Sequence, residues 1–188
     1  VGVSHFVRML NQAVEDLKKG KKVKERETSI KDVTIEIPLP AYVPDEYIVS
    51  SKEKISIYQK LAGADTLEYL TELHMELVED YGKMPEEVSN LFRVLEIKMF
   101  AKKAGILNVK AENVHSTEDR QIVLHMSETV RPENIMSLLE YNNRWIISGT
   151  KLKISFQNLG VSWVEELKKS LLALGKKMKN ANGSVVEK

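Results

Sequence analysis

Glu72, Glu76 and Glu79 are separated by four and then three residues, so a helix through this stretch carries all three carboxylates on one face. Like charges at that spacing repel by a few tenths of a kcal/mol, which a helix tolerates but does not favour. Two readings stand at this point. The stripe is a solvated face with no role, or it is a docking strip on which an arginine-bearing partner forms charge-assisted hydrogen bonds.

Other chemistries have less support. A phosphate-cradling loop needs a glycine five residues before its Gly-Lys pair, and the pairs at 20, 82 and 175 have Glu15, Leu77 and Ser170 there instead. The four imidazoles, His5, His74, His115 and His125, include no pair at helical i, i+4 spacing for zinc. A hairpin centred on residues 117–118 would set His125 opposite Lys110 and away from His115. No metal, cofactor or catalytic residue is therefore assigned. The run Lys18, Lys19, Lys21, Lys22, Lys24 and Arg26 could meet phosphates, but Glu25 and Glu27 dilute it and no aromatic residue interleaves for stacking. Lys168, Lys169, Lys176, Lys177 and Lys179 have a simpler account as cations near a helix C-terminus.

The elements that must position these residues are limited by composition. Across 188 residues, 43% are hydrophobic, enough for a core that needs no staples, and cysteine is absent, which removes disulfides and thiolate metal sites. A formal net charge of +1 gives no overall field toward nucleic acid or anionic membrane. No apolar run approaches the roughly 18 residues of a membrane span, and no basic-then-apolar leader is present. The expectation is a cytoplasmic domain. The start at Val1-Gly2-Val3 suggests a fragment of a longer protein.

Along the chain, Val3, Phe6, Met9, Leu10, Ala13, Val14 and Leu17 mark one apolar helix face, followed by a polar linker to residue 31. Val33, Ile35 and Ile37 alternate as a strand that Pro38 ends, and residues 42–49 read as a second extended piece. Three helices follow, opened by Ser50 with Glu53, by Asp65 with Glu68, and by Pro85 with Glu86 and Glu87; Gly105 closes the third. Strands are predicted over 106–111 and 121–126, then a helix from Pro132, a strand pair around Gly149, and a last helix from Ser162 that Gly175 ends. The fold class is thus α+β: helices packed with a small, mainly antiparallel sheet closing in the order β-β-α-β-β-α, preceded by one helix and an extended linker. The expected division is a connecting segment 1–31, a main domain 32–178 and a flexible tail 179–188.

Several local patterns resemble the bacterial transcription-repair coupling factor family. Residues 1–14, VGVSHFVRMLNQAV, look like the helix that follows that family's motor. Ile37-Pro38-Leu39 with Tyr42-Val43-Pro44-Asp45-Glu46-Tyr47-Ile48 is similar to the entry of its C-terminal domain. Lys54, Ile55, Tyr58, Leu61 and Ala62 match a basic residue and a Leu-Tyr-x-x-Leu-Ala pattern, and Gly105-Ile106 matches a helix-closing Gly-Ile. The most specific piece, Glu76-Leu77-Val78-Glu79-Asp80-Tyr81-Gly82-Lys83-Met84-Pro85, resembles Glu-Leu-x-Asp-Arg-Phe-Gly-x-x-Pro. Two positions depart: Asp80 replaces an arginine and Tyr81 a phenylalanine.

The resemblance implies a non-catalytic regulatory domain within a DNA-translocating ATPase that engages RNA polymerase, DNA and UvrA. In that family the domain packs on the N-terminal UvrB-like module of the same protein and masks the UvrA-binding surface. Its contact carboxylates correspond to Glu76 and Glu79, and Glu72 completes the stripe. The alternative is a nucleic-acid-binding module built on the lysine-rich segment and the β-β-α part.

Overall fold

A computed structural model of the chain describes residues 33–114 and 117–183, with side chains through residue 176. The expected leading helix, the lysine-rich linker and His115 lie outside the described residues. Those described fall into two compact units, Pro38–Glu96 and residues 33–37 with 97–183.

The first unit is helical. It holds α1 (Ser51–Ala62), α2 (Leu67–Tyr81) and the greater part of α3 (Glu86–Lys103). Ser50 caps α1 as expected, its side chain accepting from the Glu53 amide at 3.3 Å. The cap of α2 is Thr66 and not Asp65. Thr66 has the extended backbone a cap requires, and its hydroxyl accepts from the Tyr69 amide at 3.2 Å. Ile57, Tyr58 and Leu61 of α1, Leu70, Leu73 and Leu77 of α2, and Val88, Leu91, Phe92 and Leu95 of α3 are buried. Gly82, at φ 78°, ends α2.

Residues 42–49 form no strand. Pro44 has no N–H for a ladder, and its carbonyl instead accepts from the Tyr47 and Ile48 amides at 3.1 and 3.2 Å, folding the segment into a turn. The Tyr58 hydroxyl accepts from the buried Val43 amide at 2.8 Å, and Asn90 donates to the Pro40 carbonyl at 2.8 Å. A segment without a ladder is thereby tied down by side chains.

The second unit carries a five-stranded sheet of β1 (Thr34–Glu36), β2 (Ile106–Asn113), β3 (Arg120–Met126), β4 (Ile146–Ser148) and β5 (Lys151–Ser155), in the order β1-β2-β3-β5-β4. Only β1 and β2 run parallel, and a parallel pair needs a long connection. Here that connection contains the whole helical unit. Ile35, Val109, Ile122, Leu124, Leu152 and Ile154 share one buried face.

The helices of this unit are α4 (Pro132–Tyr141), α5 (Phe156–Leu159) and α6 (Trp163–Gly183), with α4 packed on α6. The β-β-α-β-β-α order is present with α5 added. Ser155 ends β5, and its hydroxyl accepts from the Asn158 amide at 3.2 Å to start that extra turn. Buried Asn134 donates to the Leu174 carbonyl at 3.0 Å, and the Trp145 indole donates to Ser170 at 3.2 Å.

Two further expectations are corrected. Gly175 does not end the last helix, which continues to Gly183. Glycine weakens a helix interior without forbidding it, and Gly175 lies against Ala104. In the hairpin His125 pairs with Asn108, and Lys110 pairs with Val123. The Val114 amide donates to the Asp119 carbonyl at 2.9 Å, which centres the loop one residue earlier than expected and shifts the pairing by two. A two-residue shift leaves every side chain on its expected face.

Candidate docking surface

The α2 sequence, LEYLTELHMELVEDY, has five carboxylates and no lysine or arginine. Leu70, Leu73 and Leu77 take one side of the helix inward, so Glu72, Glu76 and Glu79 emerge together on the solvent side. All three are exposed. Glu79 and Asp80 fall in the last turn, where the helix dipole favours cations. This distribution of charge therefore works against the isolated helix.

Sequence reasoning missed two participants. Met75, 58% exposed, follows Glu72 by three positions and precedes Glu79 by four, which puts an apolar side chain among the carboxylates. An apolar residue out of phase with the leucines is a visible signal for it. Lys60 of α1 is the second; its ammonium pairs with the Glu76 carboxylate. Nothing in a separation of 16 residues foretells that pair. The Glu76 hydrogen bond raises the Lys60 pKa against a smaller lowering by burial, with further support from the Glu76, Tyr69 and Asp80 charges. Both partners are about two-fifths exposed, so the pair contributes ~0–1 kcal/mol.

Tyr81, the aromatic at the end of α2, lies 5.8 Å from the Tyr47 ring, and the Tyr47 hydroxyl donates to the Leu77 carbonyl at 3.2 Å. Burial, followed by the charges of Glu53 and Asp80, raises the Tyr81 pKa. Asp80, where the resembled family has arginine, is exposed and extends the negative region.

The histidines stand elsewhere. His74 meets Phe92 edge-on at 5.5 Å, and His125 pairs with the Asn108 side chain. Burial and then Lys151 lower the His125 pKa. Among the described residues, no group of three His, Cys, Asp or Glu side chains is placed to hold a metal ion, and no helix is long and apolar enough to cross a membrane.

These features define an α+β chain with a five-stranded mixed sheet and a separate acid-faced helical unit. The chain belongs to the TRCF domain family, whose sequence model matches residues 37–135. It is 30% identical over 194 residues to the transcription-repair-coupling factor of Bacillus subtilis (strain 168), an alignment covering 99% of this chain and 16% of that protein. Identity to the transcription-repair-coupling factor of Staphylococcus aureus (strain USA300) is 31% over 176 residues, covering 89% of this chain and 14% of the relative. The chain thus spans about one-sixth of the length of these relatives. The crystal structure of the C-terminal domain of transcription-repair coupling factor has the same fold, with TM-score 0.64 and 20% identity over 81% of this chain and 95% of that one.

Proposed function

We propose that the chain is a non-catalytic regulatory domain of a cytoplasmic transcription-repair coupling factor. In this reading its α2 face packs on the N-terminal UvrB-like module of the same protein and masks UvrA binding. The observation that carries it is the exposed Glu72, Glu76 and Glu79 stripe around Met75, on a helix with no cation of its own. Carboxylates presented together can form forked hydrogen bonds with arginines, and a central apolar side chain supplies the desolvated contact that interface anchors need. Motor activity, DNA translocation and contact with RNA polymerase belong in this reading to the rest of the parent protein.

The test is UvrA binding by the full-length parent carrying Glu76→Lys and Glu79→Lys. Reversing both charges weakens the masking contact and raises UvrA affinity. Unchanged UvrA binding, with the domain still folded, would place the masking contact elsewhere or remove it.

A further inference from the structure

The helical unit has a second surface feature, separate from the α2 stripe. An open cleft of about 330 Å³ is lined by Tyr42, Pro44, Glu46, Tyr47, Pro85 and Glu87. Its frame is held at several points. The Tyr42 amide donates to the Glu87 carbonyl at 3.3 Å, the Pro44 carbonyl closes the turn through Tyr47 and Ile48, and Asp45 pairs with Lys54 of α1. The Tyr47 ring is fixed by its hydroxyl on the Leu77 carbonyl. Two prolines restrict the lining further. A ligand entering the cleft therefore meets a backbone frame and a Tyr47 ring already held within the fold, and it has to order the two glutamate side chains itself.

The chemistry of the lining is specific. The lining includes two tyrosines, whose rings carry negative π faces, and two carboxylates, Glu46 and Glu87, that have no ion-pair partner among the described residues. An anion is repelled here, and an apolar side chain would strip water from the carboxylates without replacing it. We propose that this cleft takes an arginine side chain of a protein partner, with the guanidinium against the tyrosine rings and hydrogen-bonded by Glu46 and Glu87. Arginine fits better than lysine because its planar, weakly hydrated head stacks on rings and donates in a fork to carboxylates. The volume lies at the bottom of the ~300–1,000 Å³ range of small-molecule sites, which suits one side chain better than a cofactor. The inference is independent of the masking reading, since no residue of the α2 stripe lines the cleft.

The test is an NMR titration of the 188-residue chain with N-acetyl-arginine amide, using N-acetyl-citrulline amide as the uncharged probe of the same shape. The arginine probe is expected to shift the Tyr42 and Tyr47 ring signals to saturation, with citrulline several-fold weaker. Glu46→Gln and Glu87→Gln should each weaken arginine binding roughly two- to fivefold, the scale of one exposed charge pair. Glu72→Gln and Glu76→Gln should leave it unchanged. Equal binding of both probes, no shift of either tyrosine, or loss of binding in Glu76→Gln instead would overturn the assignment. Such a failure leaves the α2 surface to be judged by its own charge-reversal experiment.

Discussion

Glu76 already has a cation at hand, and that shapes what a partner must do. Any arginine approaching its carboxylate displaces Lys60, so Lys60 competes with the proposed partner. Lys60→Gln is expected to tighten docking on the UvrB-like module roughly two- to fivefold in a calorimetric titration, with stability changed by no more than ~1 kcal/mol. Weaker docking would instead make Lys60 part of the contact. Tyr58 carries a different kind of role. Tyr58→Phe removes the acceptor of the buried Val43 amide and should cost about 1–3 kcal/mol by urea unfolding. His125 supplies the pH test. Its folded pKa lies below the unfolded value of about 6.5, so within that interval the unfolded chain holds the extra proton. Stability is complete above the unfolded value and falls as the pH drops from there toward the folded one. His125→Gln should flatten that slope in unfolding measurements between about pH 7 and 5.

Among the elements, two glycines give opposite predictions. Gly105 sits at φ 76°, and a Cβ there would lie 2.6 Å from the Thr129 hydroxyl and 3.1 Å from that of Ser127. Gly105→Ala is strained in backbone and in space, and should lower stability by more than ~1 kcal/mol. At Gly175 an added Cβ meets Ala104 atoms at 3.7 to 3.8 Å, ordinary contact within a helix. Gly175→Ala should therefore raise stability by roughly 0.5–1 kcal/mol, read as a higher Tm. The same pair marks what was legible in the sequence. Gly105 follows a periodic helix and precedes an alternating strand, so local pattern alone identifies it as a stop. Gly175 looks equally like a stop in the sequence, yet the helix runs through it to Gly183, and no local pattern tells a helix-interior glycine from a terminal one. Thr66 taking the cap from Asp65, and the turn at Pro44 within a segment read as extended, are likewise decided by backbone geometry that several sequences near each site could satisfy. The acidic stripe was readable because i, i+4 and i+7 define a helix face wherever the helix lies. Its Lys60 partner and the Tyr42–Glu87 cleft were not, since each joins residues from different elements.

Charge is segregated across the molecule even though it nearly cancels. The formal net charge is +1, and α2 with its five carboxylates accounts for −5, so the remaining residues carry +6 between them. Such a distribution attracts a basic surface to one place without making the whole chain seek anions. The two functional readings then separate by their response to salt. The proposed docking of the α2 face on the separately expressed UvrB-like module would involve a few exposed charges around Met75. Its affinity should fall modestly between 50 and 200 mM salt and disappear with Glu76→Lys. Duplex binding through the lysine-rich segment would depend on counterion release, losing about 10³-fold or more over the same range if six phosphates were contacted, and it would be indifferent to Glu76. Calorimetry of the chain against module and duplex at both salt concentrations tells the two apart. Module binding that is lost with Glu76→Lys places the interaction on α2. Duplex binding alone, with the steep salt slope, would move the function to the basic part of the chain and leave the acidic face a solvated one.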